Sequence, residues 1–252
     1  MLKSLQIVTL ILFFNLSSTR IWSVPTDLFW TNCITDVLAT GTGHIDIDSY
    51  FSLFKRNGHG SSLPLDTGFL LGIFTWHDLN AEAGIDYLGG TDDPFYFNGK
   101  VGMSEDKLFA NAPSFSIGVF DIGTRANKTN INVVNLVLGR KLPESIGGTF
   151  YVAGFIGNRA LGKDRQGYMV GYSYEFCPEK DCSGKDYHKW EFAADYASGN
   201  NLIGGGGFGM VYRFTPEISL EGGPVWFNTA KYNGSWKWSI QLDINFPVFN
   251  KN

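Results

Sequence analysis

From His44 to Phe246 apolar and polar residues alternate with a period of two, the pattern of strands whose two faces meet different surroundings. In 235–246 Trp236, Trp238, Ile240, Leu242, Ile244 and Phe246 share one face, and Lys237, Ser239, Gln241, Asp243 and Asn245 the other. In 79–88 Ala81, Ala83, Ile85 and Tyr87 oppose Asn80, Glu82, Gly84 and Asp86. In 188–197 Trp190, Phe192, Ala194 and Tyr196 oppose Lys189, Glu191, Ala193 and Asp195, and over 43–54 Ile45, Ile47, Phe51 and Leu53 oppose His44, Asp46 and Asp48. Twelve strands are predicted, at 43–54, 67–76, 79–88, 95–103, 114–123, 130–140, 148–157, 166–176, 188–197, 202–214, 218–228 and 235–246. No stretch after the N-terminal apolar run reads as an amphipathic helix; residues 24–42 are irregular, with a short helical turn near 36–38.

Segment length separates two all-β readings. Most of these segments hold 9–13 residues, where soluble strands average about five or six and a tilted membrane-crossing strand needs about 9–11. A β-sandwich turns its apolar face inward; a membrane barrel turns it outward to lipid and keeps the polar face for the lumen. Rings crowd the segment ends, among them Tyr87, Phe95, Tyr168, Tyr174, Trp190, Trp226 and Trp236, as suits a headgroup zone where a ring body meets lipid and its edge meets water. The fold expected is therefore all-β: a closed antiparallel up-and-down transmembrane β-barrel of about twelve strands, with ten or fourteen fitting if 67–88 or 104–123 divide differently. An open sheet edge in hydrocarbon would leave backbone groups unpaired at several kcal/mol each, so the first strand must pair with the last. Register is well specified in 235–246, where a one-residue slip would present Lys237 and Asp243 to lipid. It is weaker in 130–140, which is apolar on both faces and suits a bulge.

The first residues describe an exported chain. Lys3 precedes the apolar run from Leu5 to Leu16, and small polar residues follow, the parts of a secretory signal peptide. The run is shorter than the ~20 residues of a spanning helix. Cleavage fits after Ser23 or after Ser18. The organisation expected is a signal peptide over 1–23, an irregular periplasmic segment over 24–42, the barrel over 43–246 and a tail over 247–252. Cys177 and Cys182 bracket CPEKDC, which in an exported protein suits a small disulfide loop. Cys33 is then odd, and fits as a partner of either.

SWKWSIQLDINF, from Ser235 to Phe246, resembles the C-terminal strand by which bacterial outer-membrane β-barrel proteins are recognised by the barrel-insertion machinery. It departs from that pattern in that PVFNKN follows the terminal aromatic. The resemblance covers the architecture from about residue 43 to 246, is porin-like without specifying a subfamily, and implies the outer membrane of a Gram-negative-type cell, with its lipids as neighbours.

Composition narrows the function. Lys and Arg number 20 against 24 Asp and Glu, a net charge of −4, which argues against nucleic acid as partner. Mean hydropathy of −0.06 is too low for a helical membrane bundle. Gly204, Gly206 and Gly209 satisfy a GxGxxG pattern, but Met210–Phe214 continues as strand where a dinucleotide site needs a helix. Glycine there suits a bend or a close approach instead. His44, His59, His77 and His188 lack metal spacing, zinc at the two cysteines would have only His188 nearby, and no GxSxG elbow occurs. No cofactor, metal or enzymatic activity is expected.

Alternation places Asp46, Asp48, Glu82, Asp86, Glu191, Asp195, Glu221 and Asp243 in the lumen together with Lys100, Lys189, Arg213 and Lys237. This acid-rich lining would favour cations in a water-filled pore; the same groups could instead pair across a narrow lumen and plug it, since twelve strands lie between filled small barrels and open porins. The expected function is a porin-like channel for small solutes with a cation preference. Its alternatives are a closed structural or adhesive barrel acting through loops 55–66, 88–94 and 158–165, a barrel hydrolase, and a secreted soluble sandwich.

Overall fold

A computed structural model describes residues 27–53, 62–234 and 236–249. The signal peptide, Ser235, residues 54–61 of the first loop and the last three residues of the tail lie outside the described residues.

Twelve strands form one closed barrel in which each pairs antiparallel with its sequence neighbours. They are β1 (Thr42–Phe51), β2 (Asp66–Trp76), β3 (Leu79–Leu88), β4 (Phe95–Met103), β5 (Ser114–Gly123), β6 (Asn130–Lys141), β7 (Thr149–Ile156), β8 (Gln166–Lys180), β9 (Asp186–Ala197), β10 (Gly205–Thr215), β11 (Ile218–Phe227) and β12 (Lys237–Pro247). β1 closes on β12 in continuous register from Thr42 opposite Pro247 to Phe51 opposite Trp238. Helix among the described residues is confined to a 3-10 turn (Arg159–Leu161) and one turn at Ala230–Asn233, so nothing helical is long and apolar enough to cross a membrane.

The strands keep their alternation in three dimensions except at the end of β2, beyond its Gly72–Phe74 irregularity, and at the end of β8. Ile73, Trp76, Leu136, Val152, Ile156 and Phe214 stand on the outside, each more than 40% exposed. Such a continuous apolar surface is far beyond what a water-soluble monomer carries. Ring pairs mark both rims: Tyr87 with Phe95 and Tyr168 with Tyr196 at one, Trp190 with Tyr212 and Tyr174 with Phe176 at the other. The second rim, the turn end, holds the connections β2–β3, β4–β5, β6–β7, β8–β9 and β10–β11; the opposite rim is the loop end. The β5–β6 ladder shifts between Phe120 and Ile122. There Asp121 (φ 55°) and Asn132 (φ 48°) take left-handed backbone, so the irregularity falls at the head of the weakly specified strand.

Candidate functional site

The interior is occupied by the chain itself. Residues 27–41 form no strand, and the short helical turn expected near 36–38 is absent. The segment, expected as an irregular periplasmic stretch, is irregular and runs inside the barrel, from the loop end down to Thr42. Buried backbone without a ladder needs other partners, and side chains of the barrel wall supply them. The backbone N–H groups of Phe29, Trp30 and Thr31 donate to the Asp195 carboxylate at 3.1, 3.0 and 2.7 Å. Gln241 Nε2 donates to the Phe29 carbonyl at 2.8 Å, Asn135 Nδ2 to Asn32 at 2.9 Å and Ser116 Oγ to Ile34 at 3.0 Å. Lower down, the Leu38 N–H donates to Glu82 Oε2 at 2.6 Å, and Gly41 N–H to the Gly72 carbonyl at 2.8 Å. At the loop end Trp30 stacks edgewise on Tyr50 and Phe227, and its Nε1 donates to the Ile203 carbonyl at 2.9 Å.

Room for this segment comes from missing side chains. A Cβ on Gly207 or Gly209 would stand 2.4 or 2.1 Å from the Phe29 ring, and one on Gly171 would stand 2.4 Å from Leu28. The glycine run that resembles a nucleotide fingerprint is thus, in part, the seat of Phe29.

All twelve residues expected to line the lumen are carried on the inner face. Nine are buried, and Asp46, Asp86 and Lys189 are partly so. Glu82 and Lys100 pair at 3.2 Å, both almost fully buried. Arg213 joins Glu191 through Nη2, which also lies 3.1 Å from Glu175. His44 directs Nε2 between Asp46 and Asp243, 3.6 Å from each, while its Nδ1 meets Asn245 Oδ1 at 2.9 Å. Lys189 reaches Glu179 at 3.1 Å, and Lys237, with no exposure, donates to the Ser52 hydroxyl. Two acid pairs stand directly opposite one another across ladders, Asp46 with Asp243 and Asp48 with Asp66.

Sequence reasoning missed Asp27, Asp66, Asp121 and Glu175. Asp66 lies one residue before the predicted start of its strand, and Asp121 enters the interior through the β5–β6 irregularity. It also missed that the inner face is not polar throughout. Val133 and Val137 on β6, Tyr151 and Phe155 on β7 and Met169 on β8 are buried on the inside and pack with Leu28, Phe29, Cys33 and Ile34 of the internal segment. Strands β6–β8 lie across the barrel from β12, β1 and β2, where the acids are concentrated.

The disulfide expected between Cys177 and Cys182 is not formed: both thiols are free and exposed, and Cys33 is free and buried. Strand β8 continues to Lys180 rather than ending at 176. Extended backbone rises about 3.3 Å per residue, so the paired residues Pro178–Lys180 hold Cys177 up the strand from Cys182 in the turn, while a disulfide needs its Cα atoms within about 7 Å. The turn is held instead by Asp181, which accepts from Ser183 N and Oγ and from Lys185 N at 2.7–2.8 Å. These bonds, the Ser183 hydroxyl first, hold its carboxyl below the ordinary value of 3.8. Among the described residues no three of His, Cys, Asp or Glu are grouped to hold a metal ion.

No protein-family model matches the chain, and no curated protein matches it either. Among solved structures it is similar to the KdgM porin, at 9% identity over 81% of this chain and 99% of that one with a TM-score of 0.47. It is similar also to the NanC porin, at 10% identity over 81% and 100% with a TM-score of 0.45. An outer-membrane channel from Pseudomonas putida F1 matches at 12% identity over 84% and 98% with a TM-score of 0.46.

Proposed function

We propose that this chain is a porin-like barrel of the bacterial outer membrane that passes small solutes, prefers cations, and is closed in the structure by its own residues 27–41. The observation that carries this reading is the combination of an apolar outer belt with an interior whose filling is not part of the sheet. A strand cannot leave a closed barrel without breaking two ladders, whereas residues 27–41 are held by side-chain bonds and a few contacts near Thr42. Export by the signal peptide, insertion through the strand from Ser235 to Phe246 and surrounding outer-membrane lipid belong to the same reading, which is non-enzymatic.

Conductance in a planar bilayer tests it. The mature chain is expected to show rare, brief openings, and a variant lacking 27–41 discrete steps with a cation-biased reversal potential under a salt gradient. A variant that inserts as a folded barrel yet never conducts would overturn the channel.

One observation favours the second reading, a closed structural barrel acting through its loops. Three loops at one end are tied together: Asp164 accepts from Asn200, Lys163 N–H donates to the Tyr232 hydroxyl, and Asn233 donates to the Leu202 carbonyl. Silence of both the full and the shortened chain would leave this reading in possession.

A further inference from the structure

On the acidic wall, charge is only partly answered. His44 stands between Asp46 and Asp243, but Asp48 and Asp66 face each other across the β1–β2 ladder with no basic side chain within ion-pair distance among the described residues. Like charges directly opposite on a sheet repel. Asp48 Oδ1, Asp66 Oδ1 and Glu221 Oε1 are buried atoms without a hydrogen-bond partner, on residues that in the case of Asp48 and Glu221 are 9% and 2% exposed. The interior cations are engaged elsewhere, Lys100 with Glu82, Arg213 with Glu191 and Lys237 with Ser52. Residues 27–41 add another acid, Asp27, at the head of the segment.

The opposite wall wants the contrary chemistry. Val133, Val137, Tyr151, Phe155 and Met169 face inward, and the internal segment covers them with Leu28, Phe29, Cys33 and Ile34. The segment therefore covers the apolar half of the lumen and, though Trp30 also reaches Tyr50 of β1, brings no cation to the carboxylates of the other half. Water and inorganic ions would satisfy the acids but not the apolar wall; neutral sugars would hydrogen-bond the acids without neutralising them, and anions would be repelled.

We infer that the solute this lumen accepts is an organic cation with an apolar body, an aryl- or alkylammonium, whose charge lies toward Asp48, Asp66 and Glu221 and whose hydrocarbon lies on the β6–β8 wall where Leu28 now sits against Gly171. This rests on the channel reading and narrows it to a solute class. It also gives residues 27–41 a second role as a partial mimic of the solute, occupying its apolar subsite.

Bi-ionic potentials across bilayers holding the chain without residues 27–41 test the inference, with benzyltrimethylammonium, choline and sodium as cations and benzenesulfonate as the matched anion. Benzyltrimethylammonium should permeate roughly tenfold better than choline, the scale of discrimination one apolar group gives in a hydrophobic site, and benzenesulfonate should be nearly excluded. Asp48→Asn with Glu221→Gln should remove most of the cation bias, and Phe155→Ser with Met169→Ser should bring the benzyl advantage toward one. Steps that pass choline and sodium as well as benzyltrimethylammonium would overturn the inference and leave the channel standing. Absence of steps with every ion would overturn the channel and the inference with it. Should the shortened chain fail to insert, the same potentials are read from the full chain carrying Asp195→Asn and Glu82→Gln, with the same two adverse outcomes.

Discussion

Asp195 and Thr31, 164 positions apart, meet twice inside the barrel: the Thr31 N–H donates to Asp195 Oδ2 at 2.7 Å and the Thr31 hydroxyl to the same oxygen at 3.0 Å. With the N–H groups of Phe29 and Trp30 on the same carboxylate, one side chain of the wall answers three consecutive backbone donors of a segment that has no strand to answer them. Asp195→Ala leaves those donors buried and unpaired unless the segment moves. At about 1–3 kcal/mol for each such group, a loss near 2 kcal/mol would raise the open fraction roughly thirtyfold. Single-channel recording reads it directly, and an unchanged open fraction in a folded barrel would remove Asp195 as the latch.

The lower anchor behaves differently because it is itself half of an ion pair. Glu82 accepts from Leu38 at 2.6 Å while holding Lys100 at 3.2 Å, with both side chains about 1% exposed. Removing the cation alone strands a buried carboxylate, so Lys100→Met is expected to cost the barrel roughly 3–5 kcal/mol. The double variant Lys100→Met with Glu82→Gln should recover much of that, since a neutral amide opposite an apolar chain leaves no uncompensated charge. Urea unfolding in lipid vesicles, followed by the band shift between heated and unheated samples, measures both. Equal losses in single and double variants would show that the pair is not what stabilises this site.

What the sequence could reveal follows from the range of each interaction. β3, β4 and β5 end where alternation ends, at Leu79–Leu88, Phe95–Met103 and Ser114–Gly123, because a face meeting lipid and a face meeting the interior leave their mark on every second residue. β8 runs on to Lys180 through a polar stretch without that mark. β10 begins at Gly205 rather than at 202, because Leu202 and Ile203 turn in to pack against the internal cluster. Residues 27–41 carry no period at all, and their partners are strands up to 212 positions away, so nothing local announces that they lie inside. The one trace was the glycine run at 204–209, legible as a close approach but silent about which residue approaches.

Thiol chemistry checks the corrected cysteine arrangement. Cys177 and Cys182 are free and exposed, and Cys33 is buried against the wall. Without any reductant, maleimide should add twice to the folded protein and a third time only after denaturation, as counted by intact mass. A folded protein that takes up none until reduced would reinstate the 177–182 disulfide.

The β8–β9 turn carries a pH dependence of known sign. The carboxyl of Asp181 lies below the ordinary value of 3.8, chiefly through the Ser183 hydroxyl and then the Lys185 N–H. Because the folded form holds the proton less tightly than the unfolded one, its contribution is complete above 3.8 and is lost as pH falls through the lower folded value. Carbon NMR titration of Asp181 should give a midpoint under 3.8 in the wild type and move up toward the ordinary value in Ser183→Ala, where the backbone bonds from residues 183 and 185 remain. The protection of the Lys185 amide, its exchange rate relative to the intrinsic rate at the same pH, should fall only in strong acid; a loss of protection already near pH 6 would mean another group holds the turn.

Gly207 offers the most selective way to unseat the internal segment. A Cβ there would meet the Phe29 ring at 2.4 Å and its next neighbour, Val225 Cγ2, only at 3.1 Å. At Gly209 the same Cβ would also strike the Gly222 carbonyl at 2.4 Å, and so would disturb the β10–β11 ladder along with the ring. Gly207→Ala should therefore expel Phe29 and spare the barrel, whereas Gly209→Ala should weaken both. Expulsion of Phe29 also displaces its neighbour Trp30 from the edgewise stack with Tyr50 and Phe227, which wets an indole that is only partly exposed. In a Gly207→Ala chain, the difference spectrum against a Trp30→Phe control should show red-shifted emission for Trp30. The thermal midpoint should fall by far less than in Gly209→Ala. Phe29 and Gly207 then act as a matched seat and knob, and the converse pairing is expected to hold: Phe29→Ala in the Gly207→Ala background should restore the conductance of the shortened chain no further than Gly207→Ala alone. Additive increases from the two substitutions would mean that they act at separate places and that the ring does not hold the segment through this glycine.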